Sequence, residues 1–217
     1  MDKKKVVEEI YKNKIVAIFR GIDQQKAVRT ANALCAGGVR LMEVTFDQTE
    51  KETEYRSTVD SIRMISEQAD PEILVGAGTV ITTEQVVLAY NAGARFIITP
   101  TTDPEIIALA GSLGMATMPG AYTPTEINNA YKAGADFVKI FPASEAGPAY
   151  FKAVRGPLSH IPLTAVGGVT IENAKSFLDA GAVGLGIGGN LVSKALISKD
   201  DYEGLTKLAQ EFVKCIS

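Results

Sequence analysis

The feature that most constrains this chain is a regular alternation of short β-rich runs and helical runs. The candidate strands are Ile15–Arg20, Leu41–Phe46, Leu74–Thr79, Phe96–Pro100, Ala116–Pro119, Phe137–Pro142, Leu163–Gly167 and Gly184–Gly188. The candidate helices are Gln24–Ala36, Lys51–Gln68, Thr83–Ala92, Pro104–Leu113, Pro124–Lys132, Pro148–Val154, Ile171–Ala180 and Tyr202–Ile216, and a short helix is also expected before the first strand. Eight strands alternating with eight helices predict a parallel sheet, and that count favours a closed (β/α)8 TIM barrel.

Turn and cap residues support this alternation. Glycines that can end helices occur just before several candidate strands, as in Ala92-Gly93-Ala94 and Ala133-Gly134-Ala135. Residues that can cap helices stand at the other ends, and these are Thr83, Asp103, Thr123 and Thr170. No linker or low-complexity tract divides the chain, so residues 1–217 are interpreted as one domain. The alternative architecture is a doubly wound open sheet.

Composition and charge exclude several classes of function. A net charge of −3 gives no reason to expect nucleic acid or an anionic membrane as a partner. The amino terminus lacks the apolar stretch of a signal peptide, and no run approaches the length of a transmembrane helix, so a cytoplasmic protein is expected. Cys35 and Cys215 lie far apart, which suggests reduced thiols, and His160 is the single histidine. We therefore expect neither a metal site built on imidazole or thiolate nor a cofactor.

Lys139 is the most informative single residue, because it lies in the apolar strand Phe137-Val-Lys-Ile-Phe-Pro142. Successive side chains of a strand point to opposite faces, so Lys139 shares a face with Phe137 and Phe141. A buried ammonium is costly unless it is paired or neutralised. Burial that lowered its pKa would give a neutral amine able to form a Schiff base with a carbonyl compound. The alternatives are a lysine that reaches solvent at the strand end and a structural ion pair.

Other polar residues fall near the carboxyl ends of the candidate strands, which face the active-site mouth of such barrels. They are Arg20, Glu43, Thr45, Thr79 and Thr99. Glu43 occupies the third place of Leu41-Met-Glu-Val-Thr-Phe46, as Lys139 does in its own strand. The two side chains could form an ion pair, or an amine with its proton shuttle. Because desolvation consumes most of the stabilisation in a buried ion pair, the catalytic interpretation is favoured.

The last two candidate strands end in paired glycines, in Ala165-Val-Gly-Gly168 and Gly186-Ile-Gly-Gly189. Glycine lets backbone N–H groups approach a ligand closely, and a following helix start adds positive potential. The glycines could simply form tight turns. Two such pairs on the last two strands favour a phosphate site, because the loops after strands 7 and 8 commonly bind phosphate in these barrels.

The chain resembles the 2-keto-3-deoxy-6-phosphogluconate (KDPG) and 4-hydroxy-2-oxoglutarate (KHG) aldolase family, from Ile15-Val-Ala-Ile-Phe-Arg20 to Gly186-Ile-Gly-Gly-Asn190. The most specific motifs are Gly38-Val-Arg-Leu-Met-Glu-Val-Thr45, Val75-Gly-Ala-Gly-Thr79, Met118-Pro-Gly120 and Val138-Lys-Ile-Phe-Pro-Ala143. The resemblance implies a metal-independent class I aldolase, commonly a homotrimer. It would cleave KDPG to pyruvate and glyceraldehyde 3-phosphate, and 4-hydroxy-2-oxoglutarate is a further candidate substrate.

The resemblance also implies a role for each matching residue. Lys139 would form the Schiff base, and Glu43 would be the general acid–base. The substrate carboxylate would be held by Arg20 and Thr79. Further substrate contacts would come from Thr99, Phe141 and Val166, with the Phe141 ring against the pyruvyl part. The phosphate would be bound by Gly167, Gly168, Gly188, Gly189 and Asn190.

Three positions depart from the family pattern. Some members have an arginine that binds the carboxylate where this chain has Asp47, and Arg20 is its expected substitute because a guanidinium matches a carboxylate. Asn190 replaces a common serine, and its amide can still donate a hydrogen bond. Ala165-Val166 replaces Pro-Thr and is similar to the subgroup acting on the 6-phosphogalactonate epimer. The gluconate epimer is retained as the predicted substrate, with the galactonate epimer as the alternative.

Two other classes of function remain open at this point. One is a different phosphate-binding barrel enzyme, such as an epimerase or a synthase, which would use the glycine-rich strand ends without needing Lys139. The other is a non-catalytic barrel that binds a sugar phosphate. Reduction with borohydride in the presence of pyruvate distinguishes the aldolase from both, because only the aldolase requires a covalent imine.

Overall fold

Nine parallel strands form one sheet in the computed structural model, which describes residues 1–53 and 55–217. The strands are β1 (Ile15–Phe19), β2 (Leu41–Thr45), β3 (Leu74–Gly78), β4 (Phe96–Ile98), β5 (Ala116–Met118), β6 (Gly120–Ala121), β7 (Val138–Ile140), β8 (Leu163–Val166) and β9 (Gly184–Ile187). The helices are α1 (Lys3–Asn13), α2 (Gln24–Ala36), α3 (Arg56–Gln68), α4 (Thr83–Asn91), α5 (Pro104–Ser112), α6 (Pro124–Lys132), α7 (Ala143–Arg155), α8 (Ile171–Asp179), α9 (Lys194–Ser198) and α10 (Tyr202–Cys215), with a 3₁₀ helix at Gln48–Thr53.

The sheet closes into a barrel. Its strand order is β5-β4-β3-β2-β1-β9-β8-β7-β6, and β5 and β6 are two parts of one strand interrupted at Pro119. The interruption does not open the wall, because the Lys139 N–H of β7 donates to the Pro119 carbonyl oxygen over 2.8 Å. The predicted (β/α)8 barrel is therefore confirmed, with its fifth strand divided in two. The alternative of an open doubly wound sheet is excluded.

Local hydrogen bonds explain where several helices begin. The Thr123 hydroxyl accepts from the Glu126 N–H, and the Glu126 carboxylate accepts from the Thr123 N–H. These two hydrogen bonds form a capping box at the start of α6. Asp103 caps α5 in the same position relative to a first-turn proline. The cap of α4 is Thr82, one residue before the predicted Thr83. Every helix within the described part of the chain falls short of the length or apolarity that a bilayer-spanning helix requires.

The predicted helix at Lys51–Gln68 is wrong over its first turns. A 3₁₀ helix ends at Thr53, Glu54 lies outside the described residues, and α3 begins only at Arg56. Tyr55 has a φ of 54°, which a helix cannot continue through. Its ring packs edge-on against Phe46, with 5.2 Å between centroids, so a tertiary contact accompanies the break.

The barrel is closed at the amino ends of its strands by α1. Val6 and Ile10 of this helix pack into an apolar cluster inside the barrel, formed with Val16, Leu41, Leu74, Phe96, Ile98, Ala116, Met118 and Phe137. Lys3 also pairs with Asp136, at 2.9 Å, just before β7. The larger apolar cluster lies between the sheet and the outer helices. With its base filled and covered, the barrel offers a ligand only the carboxyl ends of its strands.

Candidate active site

A cavity of about 520 Å³ lies at the carboxyl ends of the strands. It brings together eleven of the residues predicted from the sequence: Arg20, Glu43, Thr79, Lys139, Phe141, Val166, Gly167, Gly168, Gly188, Gly189 and Asn190. The sequence reasoning missed Ile18, Pro100 and Val169, which also line it. Ile18 could have been found, because strand alternation places it on the same face of β1 as Arg20.

Lys139 reaches the cavity from the middle of β7. Its neighbours Val138 and Ile140 point outward into the cluster under the helices, whereas Lys139 points inward and is 7% exposed. Burial lowers the pKa of the amine, and the nearby Arg20 guanidinium lowers it further, while the Glu43 carboxylate opposes both effects. The amine also lies 4.9 Å from the centroid of the Phe141 ring. This environment favours the neutral, nucleophilic form of the lysine.

Glu43 enters the same cavity from β2 and is 2% exposed. Its Oε2 atom has no hydrogen-bond partner among the described residues. Burial raises the pKa of the carboxyl group, and the charges of Lys139 and Arg20 act in the opposite direction. No ion pair found in the described part of the chain joins Glu43 to Lys139. A carboxyl group of this kind can carry a proton at a pH where an exposed one is ionised.

Gly78 on the neighbouring strand makes room for the Glu43 side chain. A Cβ atom at residue 78 would lie 1.8 Å from Oε1 of Glu43, so any larger residue would displace the carboxyl group. The two strands are adjacent in the sheet, with Thr45 in register with Gly78. The absence of a side chain at Gly78, the second glycine of Val75-Gly-Ala-Gly-Thr79, therefore lets the Glu43 carboxyl group reach the barrel interior.

Arg20 and Thr79 lie together at the cavity mouth. The Arg20 Nη2 atom donates to the Thr79 hydroxyl oxygen over 3.2 Å. Thr79 has a φ of 55°, which is uncommon for a β-branched residue and is typically kept only where the surroundings hold it in place. The guanidinium and the hydroxyl can both donate to an anion in the cavity. Their positions are compatible with the predicted carboxylate contact.

The paired glycines form the opposite part of the lining. Gly167 and Gly168 both have positive φ values, 94° and 73°, so they form the turn between β8 and α8. At Gly188 and Gly189, a Cβ atom would meet no other atom within 4 Å, which leaves their backbone open to a ligand. The Asn190 amide nitrogen already donates to the Val169 carbonyl oxygen over 2.8 Å and ties the two strand ends together.

One predicted substrate-contacting residue, Thr99, is missing from the cavity lining. Thr99 is buried, and its hydroxyl donates to the Thr101 carbonyl oxygen.

Among the described residues, one group of three metal-ligating side chains lies close enough together to hold an ion, and it consists of Cys35, Asp70 and Glu72. They lie near the amino ends of the strands, the Glu72 carboxylate pairs with Arg40 at 2.9 Å, and burial raises the pKa of the Cys35 thiol. A protonated thiol is a poor metal ligand.

The fold and the cavity define a (β/α)8-barrel protein with a buried lysine and a buried carboxyl group at the carboxyl ends of its strands. The family model described as KDPG and KHG aldolase matches residues 6–208. The 2-dehydro-3-deoxy-6-phosphogalactonate aldolase of Escherichia coli is 38% identical over 178 residues, covering 82% of this chain and 83% of that protein. The 2-dehydro-3-deoxy-phosphogluconate aldolase of Haemophilus influenzae is 30% identical over 212 residues, covering 97% and 96%.

A solved structure is also similar. The KDPG aldolase of Legionella pneumophila, with pyruvate captured as a covalent carbinolamine intermediate, has a TM-score of 0.83 and 25% identity, covering 94% of this chain and 96% of that one. The chain belongs to the KDPG and KHG aldolase family. It is accordingly an aldolase, which is a lyase.

Proposed function

We propose that the chain is a class I aldolase that cleaves a 2-keto-3-deoxy-6-phospho sugar acid to pyruvate and glyceraldehyde 3-phosphate. The observation that carries the proposal is the shared cavity of Lys139 and Glu43. Burial favours the neutral form of both groups, so the amine is available as a nucleophile and the carboxyl group as a proton carrier. The chemistry needs no metal, because the lysine itself supplies the electron sink.

The reaction follows from these two groups. The neutral Lys139 amine attacks the C2 ketone to give a carbinolamine. The protonated Glu43 gives its proton to the carbinolamine hydroxyl, which leaves as water, so that an iminium ion and a Glu43 carboxylate remain. The C3–C4 bond then breaks, its electrons move toward the iminium nitrogen, and Glu43 accepts the proton of the C4 hydroxyl. Glyceraldehyde 3-phosphate leaves, and Glu43 returns a proton to C3 of the enamine. Hydrolysis of the remaining imine releases pyruvate and the free lysine.

The rest of the lining would orient the substrate. Arg20 and Thr79 would hold the carboxylate next to C2, and the Phe141 ring would pack against the pyruvyl carbons. The backbone N–H groups of the glycine-rich ends would bind the phosphate at the other side of the cavity, helped by the start of α8. Thr99 is left out of this arrangement, because it does not line the cavity and its hydroxyl donates to the Thr101 carbonyl oxygen.

Borohydride reduction in the presence of pyruvate tests the proposal. The protein should gain the mass of one reduced pyruvyl group on Lys139, located by peptide mass spectrometry, and Lys139→Ala should gain none. Glu43→Gln should still form the adduct but turn over far more slowly, because it lacks the proton carrier. A folded wild-type protein without the adduct would refute the aldolase mechanism, and turnover assays would then separate another barrel enzyme from a non-catalytic binder.

The galactonate epimer is a second candidate substrate with its own supporting observation. Val166 lines the cavity and offers no hydrogen bond to a substrate hydroxyl, and the Escherichia coli relative carries the name of the galactonate enzyme. A site that bonds a hydroxyl discriminates strongly, and an apolar wall does so weakly. Measuring kcat/KM for the two C4 epimers side by side decides between them. A ratio far above one for the gluconate compound would count against the galactonate reading, and the reverse ratio would support it.

A further inference from the structure

Two glutamines outside the cavity wall are joined to Thr79 by a set of hydrogen bonds. The Gln48 amide nitrogen donates to the Thr79 carbonyl oxygen over 2.8 Å. The Gln85 amide nitrogen donates to the Gln48 side-chain oxygen over 2.9 Å, and the Gln85 side-chain oxygen accepts from the Ile81 N–H over 2.7 Å. Each amide uses its oxygen as an acceptor and its nitrogen as a donor, so the orientation of both side chains is fixed. We call Gln48 and Gln85 the glutamine pair.

The burial of Gln85 indicates that the glutamine pair has a specific role. Gln85 is a polar residue in the first turn of α4, and its side chain is 0% exposed. Burying an amide costs free energy unless its hydrogen bonds are made, and here they are made to Ile81 and Gln48. The result is a rigid support beneath the side chain of Gln48, which itself is exposed.

The glutamine pair binds a residue whose backbone conformation is strained. Thr79 has a φ of 55°, and its carbonyl oxygen is the group that Gln48 binds. The hydroxyl of the same residue accepts from Arg20 over 3.2 Å. Thr79 thus connects the loop after β2 to the guanidinium that follows β1. A change in its conformation would move a hydroxyl and a guanidinium together, and both lie in the cavity lining.

We infer that Gln48 and Gln85 are positioning residues for carboxylate binding. They hold Thr79 in its left-handed conformation, and Thr79 in turn orients the Arg20 guanidinium toward the substrate carboxylate. The inference rests on the proposed function, because it assigns the carboxylate to Arg20 and Thr79. It extends that function by placing part of the discrimination for 2-keto acids in residues that touch no substrate.

The test compares pyruvate with acetone, a ketone that lacks the carboxylate. Borohydride trapping on Lys139 is measured over a range of ketone concentrations in the wild type and in Gln48→Met, which has a similar length but no amide. The half-saturating concentration of pyruvate should rise about threefold to tenfold, the effect of one lost hydrogen bond. The value for acetone should stay unchanged. Gln210→Met, at an exposed position of α10, serves as the matched control and should change neither.

The outcomes separate the possible roles. An equal rise for pyruvate and acetone would show a general effect on the site and overturn the positioning role. No rise for pyruvate in folded Gln48→Met would overturn it as well. Gln85→Met should reproduce the pyruvate-specific change, with its melting temperature measured because it replaces a buried amide. If the wild type itself formed no pyruvate adduct, the proposed function would fail, a result that is distinct from an adduct that ignores Gln48.

Discussion

Lys139 and Glu43 show how one cavity can serve an amine and an acid at once. Burial acts on both side chains in the direction of the uncharged form, lowering the pKa of the lysine and raising that of the glutamate. Each also carries a smaller opposing influence from the charge of the other. Because burial is the largest cause in both cases, the pair differs from a structural ion pair, in which the charged forms would be stabilised.

Changing the neighbouring charges should shift the pKa of Lys139 in opposite directions. Arg20 lowers this pKa, so Arg20→Met should raise it and reduce the neutral fraction of the amine at a given pH. The Glu43 carboxylate raises it, so Glu43→Gln should lower it and increase the neutral fraction. The measurement is the rate at which acetic anhydride labels Lys139 without substrate, followed against pH by mass spectrometry. Since only the neutral amine reacts, the midpoint of the profile reports the pKa.

Arg63→Met provides the control, because Arg63 lies on α3 and pairs with Asp60 at 2.8 Å. Its profile should coincide with that of the wild type. Midpoints that move the same way in Arg20→Met and Glu43→Gln would contradict the electrostatic account. So would a wild-type midpoint at the ordinary value of an exposed lysine.

Much of the site at residue scale could be predicted from strand alternation. The third positions of β2 and of the predicted strand Phe137–Pro142 place Glu43 and Lys139 inside the barrel, and the structure brings both to one cavity. Alternation could not reveal that the Thr99 hydroxyl bonds to the Thr101 carbonyl oxygen, because this local contact depends on the backbone path after β4 and not on the face of the strand. Alternation could not reveal the contact between Gln48 and Gln85 either, because they are 37 positions apart in sequence and only the fold brings them together.

At the scale of elements, the two glycine-rich loops differ in what a side chain would meet. A Cβ atom at Gly168 would lie 2.4 Å from the Ser144 side chain, and the positive φ of Gly168 adds strain. At Gly189 the φ is ordinary and no atom lies within 4 Å of the added position. The loop after β8 therefore needs glycine to fold, whereas the loop after β9 needs it only if a ligand approaches the backbone.

Gly189→Ala should separate phosphate binding from folding. The methyl group would keep the phosphate from the backbone N–H, so KM for the phosphorylated substrate should rise about tenfold to hundredfold, the range for hydrogen bonds to a charged group. Pyruvate trapping on Lys139 and the melting temperature should stay unchanged, because pyruvate has no phosphate and the methyl group meets no protein atom. Steady-state kinetics and calorimetry provide these values.

The control for this variant is Gly111→Ala on α5, where the nearest atom to a Cβ would be Lys3 Nζ at 3.8 Å. It should leave KM unchanged. An unaltered KM in Gly189→Ala would remove the phosphate from this loop. A parallel loss of pyruvate trapping would instead indicate that the whole cavity had been disturbed.

Element boundaries were predictable where local signals agree, and less so elsewhere. Each of the eight predicted strands corresponds to one strand of the sheet. The short strand β6 was not predicted, and it is separated from β5 by Pro119, which has no N–H to donate. The predicted start of the helix at Lys51 was wrong, because Tyr55 adopts a left-handed conformation and α3 begins only after it. The five-residue helix α9 was not predicted, since it is too short to show a helical period.

At the scale of the whole molecule, the two ends of the barrel differ in composition and in the role proposed for them. Apolar side chains and α1 fill the amino end, and charged and glycine-rich positions occupy the carboxyl end. The segment 137–141, which contains β7, reaches both ends: Phe137 lies in the apolar cluster, Phe141 lines the cavity, and Lys139 lies between them. The trimer implied by family resemblance stays a prediction.

This division predicts that stability and activity can be changed separately. Ile10 is 2% exposed and packs into the inner cluster from α1, so Ile10→Ala should lower the free energy of unfolding by about 2–4 kcal/mol through lost burial and the cavity left behind. kcat/KM measured well below the melting temperature should remain that of the wild type, because the reacting groups lie at the other end of the barrel. Glu8→Ala, at an exposed position of the same helix, should change neither quantity. Denaturant unfolding at matched protein concentration gives the first value and turnover the second, and a folded Ile10→Ala protein with impaired turnover would show that the two ends are coupled.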